Sequence, residues 1–261
     1  MQLAEATVLV VDDEEILCEI MSAWFQRHAA RVFSANNGQE ALKLATQNRV
    51  DVIVSDVRMP IMDGVALVRA LAASGAERPR VIFVTGFADL SARDAYNLGV
   101  EAILEKPLER GHLLEAVKRS LADRNELWSQ PLDFMPGTVV RASFASLDEA
   151  MREQQIAFGR GGFCQRTTQR LREAPVHFEI EFQAEHIAVS GEGVVRWHDA
   201  AQNLAGVEIL HVDDNSRGWI AELAENKKLE AYIPRAPQEH SAVSTQHSAP
   251  EQLARAKSAG T

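Results

Sequence analysis

Five residues, Asp12, Asp13, Asp56, Thr85 and Lys106, have the types and the spacing to do chemistry together. Each falls at or just past the end of a short run rich in Val, Ile and Leu. The acidic pair follows residues 7–11, Asp56 follows 52–55, Thr85 closes 81–85, and Lys106 comes after 102–104. Three carboxylates brought into one crevice repel each other and raise one another's pKa unless a cation intervenes. A hard divalent ion resolves this, and Mg²⁺ takes a few carboxylates together with water and phosphate oxygens. The same ion can neutralise charge on a transferring phosphoryl group, to which a nearby lysine adds a second positive charge and a hydroxyl adds a hydrogen-bond donor.

The runs that carry these residues must then be strands of one sheet. Segments 7–11, 31–35, 52–55, 81–85 and 102–104 are short β-branched runs, the first a continuous Val/Leu stretch of the kind that is buried on both faces. Between them, 14–28, 39–47, 65–73, 90–98 and 108–121 have helical spacing. In the last of these, Leu113, Leu114, Val117 and Leu121 recur at the three-and-four interval of one buried helix face. A repeated βα unit with short connections predicts an α/β domain, a parallel sheet covered by helices on both sides. In such sheets ligands bind beyond the carboxyl ends of the strands, where the strand order reverses, and the five residues belong to those ends.

At these residues the chain, over roughly residues 5–123, resembles the receiver domain of response regulators, the chemotaxis type included. The matching segments are VLVVDDEE at 8–15, VIVSDVRMPIMDG at 52–64, VTGF at 84–87 and LEKPL at 104–108. The resemblance implies a flavodoxin-like (βα)5 fold with five parallel strands over residues 1–123. It implies that Asp56 is the phosphoacceptor, that Asp12, Asp13 and Asp56 hold Mg²⁺ with the Arg58 backbone carbonyl as a further ligand, and that Thr85 and Lys106 contact the phosphoryl oxygens. Lys106-Pro107 would be a cis bond. Gly86 would leave the acceptor open, while Arg58 and Phe87 would flank it and hinder attacking water. One position departs from the pattern. Most receivers carry an aromatic residue three positions before the lysine that turns inward on activation, and here that position is Ile103.

Residues 124–136 contain two prolines and few periodic apolar residues, which predicts a linker, its first part open to continuing the helix over 108–121. Beyond it, strand-like runs at 138–144, 176–182, 187–197 and 206–210 predict a small antiparallel β domain. A helix is expected to start at Ser146, where Ser-Leu-Asp-Glu offers a capping box with Glu149, and another to run over 215–232. Over residues 137–233 this half resembles a PilZ domain, a small β-barrel known chiefly as a cyclic di-GMP receptor. The resemblance lies in SLDEAMREQQ at 146–155, GRGGFCQRT at 159–167, GEGVVRWHD at 191–199 and AGVEIL at 205–210. Ligand binding there relies on Arg-x-x-x-Arg and Asp/Asn-x-Ser-x-x-Gly elements, because arginine forks grip phosphates and short polar residues bond base edges. The second element here reads Ala157 to Gly162 with Ala157 and Gly159 at its polar positions, and no Arg-x-x-x-Arg occurs within 124–156. Arg160 and Arg166 remain as anion contacts, although the glycines are expected to permit a bulge or tight turn and the arginines to be solvated. The tail from Pro234 to the end lacks periodicity, which predicts disorder for 234–261.

Composition excludes several classes. A formal net charge of −10 argues against a polyanionic partner, and residues 137–233 carry ten Lys/Arg against fifteen Asp/Glu with no helix-turn-helix pattern. Cys18 and Cys164 stand far apart, so reduced thiols are expected. No basic segment precedes an apolar stretch at the N-terminus, and no uncharged apolar run approaches 18 residues, which predicts a soluble cytoplasmic protein with no membrane insertion. His177, His186, His198 and His211 lack metal-ligand spacing, Trp197 reads as a packing residue, and no Ser/His/Asp or Cys/His set suggests an enzyme. The expected function is therefore a two-component regulator. A sensor histidine kinase would phosphorylate Asp56 with Mg²⁺, and the switch would act on a second domain that binds another protein, or on homodimerisation. The alternative is a dual-input protein whose second domain also binds cyclic di-GMP.

Overall fold

Strands buried on both faces need helices on both faces, and the first half of the chain supplies them in strict alternation. The computed structural model describes residues 1–75, 78–86, 90–130, 132 and 136–236. The strands are β1 (Thr7–Val11), β2 (Arg31–Ala35), β3 (Val52–Asp56), β4 (Arg80–Thr85) and β5 (Ala102–Glu105), in the order β2-β1-β3-β4-β5 and all parallel. Alternate residues point to opposite faces. Val8, Val10, Val54 and Ile82 meet Met21 and Phe25 of α1 (Glu15–Phe25) and Leu113 and Val117 of α5 (Arg110–Leu121). Leu9, Ile53 and Phe83 lie under Ala41 of α2 (Gly38–Gln47), Leu67 of α3 (Gly64–Ala73) and Ala95 of α4 (Ala92–Asn97). The order reverses at β1, whose neighbours β2 and β3 flank it, so the crevice opens between the carboxyl ends of β1 and β3.

Part of the expected linker is helical and docked. Residues Arg124–Ser129 form α6, capped by Asp123, which accepts from the Asn125 amide at 2.8 Å. Its Trp128 is buried and donates its indole N–H to the Ile209 carbonyl at 3.1 Å, which ties the segment to the second half. A single large aromatic in a six-residue helix leaves no periodic signal, so only its burial reveals it.

The second half is a six-stranded sheet of β6 (Thr138–Phe144), β7 (Ile156–Phe158), β8 (Gly162–Arg166), β9 (Pro175–Phe182), β10 (Ile187–Asp199) and β11 (Leu204–Val212), in the order β6-β9-β10-β11-β8-β7. The expected antiparallel barrel is corrected here: β6 runs parallel to β9, because α7 (Leu147–Arg152), β7 and β8 intervene before the chain returns, and β6 and β7 are left as the two ends of the order. The sheet is mixed and open. Its apolar face gathers Phe158, Phe163, Phe178 and Phe182 beneath Ile220 and Trp219 of α8 (Asp214–Asn226). Half of the expected capping box forms, with Ser146 Oγ accepting from the Glu149 amide at 3.2 Å while Glu185 takes the Leu147 amide at 3.0 Å. Helix α8 stops at Asn226 rather than 232, where Lys228 adopts φ 48° and the Leu229 amide reaches back to the Ala224 carbonyl, a left-handed C-terminal cap. Residues 234–236, expected as tail, lie against α4, and 237–261 are outside the described residues.

Candidate functional site

The site is built by strand ends. β1 runs into Asp12, fully buried, whose amide donates to the Ala35 carbonyl of β2 at 3.2 Å and whose Oδ1 accepts from the Glu14 amide at 2.9 Å. Asp56 closes β3 with 6% of its surface exposed, and its Oδ2 accepts from the Arg58 amide at 2.7 Å. Lys106, just past β5, spans the gap: its Nζ lies 3.0 Å from Asp12 Oδ2 and 2.9 Å from Asp56 Oδ1. The Lys106 amide donates to the Thr85 carbonyl at 2.8 Å, so the ends of β4 and β5 are laced together at the crevice, and the Lys106-Pro107 peptide bond is cis. Thr85 is buried, with its hydroxyl donating to the Gly86 carbonyl at 2.8 Å.

Two buried carboxylates therefore share one ammonium, and the trio is net negative. Burial pushes the Asp56 carboxyl above its ordinary value; the bond and charge of Lys106 oppose this without cancelling it, and the nearby Asp12 charge adds to the rise. For Lys106, burial disfavours the charged form, but the bonds to Asp56 and Asp12 outweigh it and hold the ammonium above its ordinary value. Asp56 is thus a carboxylate with one oxygen held by a cation and the other by a backbone N–H, in a crevice with charge still to be compensated.

Asp13 is exposed beside Asp12, and among the described residues no three Asp, Glu, His or Cys side chains are gathered closely enough to hold a metal. The anticipated crowd of three carboxylates is instead a pair bridged by Lys106. The donor chemistry still fits a hard divalent cation, which asks for only one or two carboxylates and keeps its waters. Phe87 lies outside the described residues.

Among the described residues, the second half holds no comparable trio. Ala157 is buried on β7, and Gly159 and Gly162 close a tight turn through a 2.7 Å backbone bond. A Cβ on Gly161 would come within 2.1 Å of the Tyr232 ring, and one on Gly159 within 2.4 Å of the Tyr232 carbonyl. The glycines accommodate this chain's own Tyr232. Arg160, expected in solvent, instead donates to Glu101 at 3.2 Å and to the Gly99 carbonyl at 3.2 Å, both in the first half. Arg166 reaches the Gln202 carbonyl at 3.1 Å. His177 lies between Glu192 and Glu179, and Trp197 is buried under the Arg93 guanidinium. Sequence reasoning missed Glu101, Glu208 and Tyr232, three buried polar residues between the halves, because an isolated acid within or beside a strand carries no pattern.

Residues 8–118 match the family model described as "Response regulator receiver domain". Sporulation initiation phosphotransferase F of Bacillus subtilis is 29% identical over 115 residues, which is 44% of this chain and 92% of that protein. Transcriptional regulatory protein PrrA of Mycobacterium bovis is 32% identical over 162 residues, 56% of this chain and 66% of that protein, so the chain spans just under two thirds of that relative's length. Among solved structures, the chemotaxis response regulator CheY4 of Vibrio cholerae is similar at 31% identity, covering 45% of this chain and 99% of that one with a TM-score of 0.41.

Proposed function

The chain carries the receiver domain of a two-component response regulator over residues 8–118, and from that premise we propose that Asp56 accepts a phosphoryl group from a sensor histidine kinase and that the second half passes the signal to a protein partner. The observation that carries this reading is the Lys106 bridge between Asp12 and Asp56 at the strand switch point.

In the proposed reaction a carboxylate oxygen of Asp56 attacks phosphorus in line, an O–P bond forms, and the bond from phosphorus to the donor's imidazole nitrogen breaks as that nitrogen takes up a proton. The product is an acyl phosphate. Asp12, Asp13, Asp56 and the Arg58 carbonyl would hold Mg²⁺, which when bound supplies charge neutralisation for the phosphoryl oxygens. Lys106 shifts from the free carboxylate to a phosphoryl oxygen, and the Thr85 hydroxyl turns from the Gly86 carbonyl to donate to another. Positioning and charge compensation are most of what such a transfer needs.

For the output, a protein partner is favoured over nucleic acid by the acidic balance of residues 137–233, since a duplex is gripped by Lys and Arg. No helix among the described residues is long and apolar enough to cross a membrane. The test is intact mass after incubation with acetyl phosphate and Mg²⁺. The chain should gain one phosphoryl group, and Asp56→Ala should gain none. Equal labelling of the Asp56→Ala chain would place the acceptor elsewhere.

A further inference from the structure

A second concave place lies at the opposite end of the receiver sheet from Asp56. Strand β3 ends at Asp56, and the residue before its start, Asp51, lines a cleft of about 880 Å³. Among the described residues, four guanidiniums line it from four places in the chain: Arg49 ahead of β3, Arg78 ahead of β4, Arg80 on β4 and Arg124 on α6. The two carboxylates of this lining are already engaged by backbone amides. Asp51 Oδ2 accepts from Thr7 at 2.8 Å, and Asp123 Oδ1 accepts from Asn125 at 2.8 Å and from Glu126 at 3.3 Å. A chain of net charge −10 thus concentrates positive charge at one cleft.

Two of these guanidiniums are fixed by the buried Glu101. One Glu101 oxygen receives Arg80 Nη1 at 3.1 Å, and the other receives Arg124 Nη2 at 2.5 Å. Arg160 joins the first oxygen at 3.2 Å, so three guanidiniums divide one negative charge. Burial pushes the Arg160 guanidinium below its ordinary value; Glu101 opposes this, and the neighbouring charges of Arg80 and Arg124 add to the fall. The cluster is short of anions. A guanidinium carries five N–H donors in a rigid fork, and Arg80 and Arg124 keep 40% and 19% of their side chains exposed after each has bonded Glu101. Arg49 and Arg78 are held less firmly. Among the described residues they make only long ion pairs, to Asp51 at 3.5 Å and to the exposed Glu230 at 3.7 Å.

We propose that this cleft binds a small organic diphosphate, gripped by Arg80 and Arg124 and contacted further out by Arg49 and Arg78. Guanidinium forks match phosphate oxygens in pairs, with a geometry that a lysine cannot supply. Because Glu101 orients two of the forks before a ligand arrives, little side-chain freedom is lost on binding. Small-molecule sites occupy about 300–1,000 Å³, so the cleft has room for more than the phosphates, and Val50, Leu71 and Leu121 give it apolar wall for an organic part. A single phosphate would meet only some of the four cations. A polynucleotide is disfavoured, because it needs cations along an extended surface while the rest of this chain is acidic. The site lies at the far end of the sheet from the phosphoacceptor and uses none of its residues.

Isothermal titration calorimetry of the full chain tests this, with inorganic pyrophosphate, ADP and citrate as probes at fixed ionic strength. Pyrophosphate and ADP should each saturate a single site per chain, and citrate should bind more weakly. Arg49→Gln and Arg78→Gln each remove a partly exposed cation that has one long ion pair, so both variants should melt with the parent. Each should weaken pyrophosphate and ADP by about tenfold. Arg141→Gln removes the same charge from the sheet half, where Arg141 pairs with Glu179, and should leave both affinities unchanged. Absence of saturation at millimolar pyrophosphate overturns the proposal, as does binding that neither Arg49→Gln nor Arg78→Gln weakens. Equal weakening by Arg141→Gln would reduce it to a general charge effect and overturn it too. Citrate bound as tightly as pyrophosphate would overturn the phosphate assignment, and pyrophosphate bound while ADP is rejected would overturn the organic one.

Discussion

Two groups of buried carboxylates dominate this molecule, and they are neutralised in opposite ways. At the crevice, Asp12 and Asp56 share the single ammonium of Lys106. Between the halves, Glu101 receives Arg80, Arg124 and Arg160, while Glu208 receives Arg119, Arg196 and the Tyr232 hydroxyl. One place has more negative charge than its cation covers, and the other has more guanidinium than its carboxylates need. On the proposed reading, under-compensation is what would admit a divalent cation and a phosphoryl group to the crevice. Over-compensation makes the interface a fixed structural joint, because forked donors hold both carboxylates in defined geometry. Similar residue types therefore leave charge uncompensated in one place and build architecture in the other.

Removing charge should separate the two most sharply at Glu101, whose side chain is 1% exposed. Glu101→Gln keeps the shape but leaves three arginines converging on a neutral amide. Breaking a buried pair by deleting one partner costs about 3–5 kcal/mol, and because Arg80 reaches water we expect the lower end, about 3 kcal/mol. Urea unfolding followed by tryptophan fluorescence should show the fall in midpoint. A loss below about 0.5 kcal/mol, the range of ordinary surface substitutions, would mean that the interface is not a structural joint.

How far the sequence discloses each place follows from how its residues are distributed. The crevice is legible because every member sits at the end of an apolar run, so strand patterning alone points to Asp12, Asp56, Thr85 and Lys106; Asp13, at the same strand end, is exposed. The joint was not legible. Arg80, Glu101, Arg124 and Arg160 come from β4, the residue before β5, a six-residue helix and a turn, with no shared period to connect them. The parallel sheet was readable for the same reason as the crevice, while β7 and β8 were hidden by the glycines that flank them. The Gly159 to Gly162 segment reads from the sequence as a bulge or tight turn, and it closes a turn that admits the ring and backbone of Tyr232.

A smaller effect is expected where only one hydrogen bond of the joint is removed. Tyr232→Phe keeps the ring between Tyr96 and Arg124 and deletes the donor to Glu208, which retains Arg119 and Arg196. The net worth of such a bond is about 1 kcal/mol, rising when the acceptor is charged. For a chain of this size that is a fall of roughly 2–4 °C in melting temperature, measurable by calorimetry. A larger loss than that of Glu101→Gln would reverse the ranking and place the strength of the joint in Tyr232 rather than in the arginines.

At the crevice the same kind of neutral replacement should act with the opposite sign. Burial raises the Asp56 carboxyl above its ordinary value of 3.8, so the folded chain holds that proton more tightly than the unfolded chain does. A group with a raised folded pKa contributes stability that is fully present below the unfolded value and is lost as pH rises through the folded one. Near neutral pH the ionised Asp56 is therefore a cost to the fold, set against the chemistry it permits. Asp56→Asn removes the charge, keeps an acceptor for the Arg58 amide, and leaves Lys106 to pair with Asp12 alone. The variant should unfold at a slightly higher urea concentration than the parent at pH 7, and the gap should close as pH is lowered toward 3.8 and the parent carboxyl takes up its proton. A lower midpoint for Asp56→Asn at pH 7 would show that Lys106 already compensates Asp56 fully, and the contrast between a receptive crevice and a saturated joint would then fail at its first term.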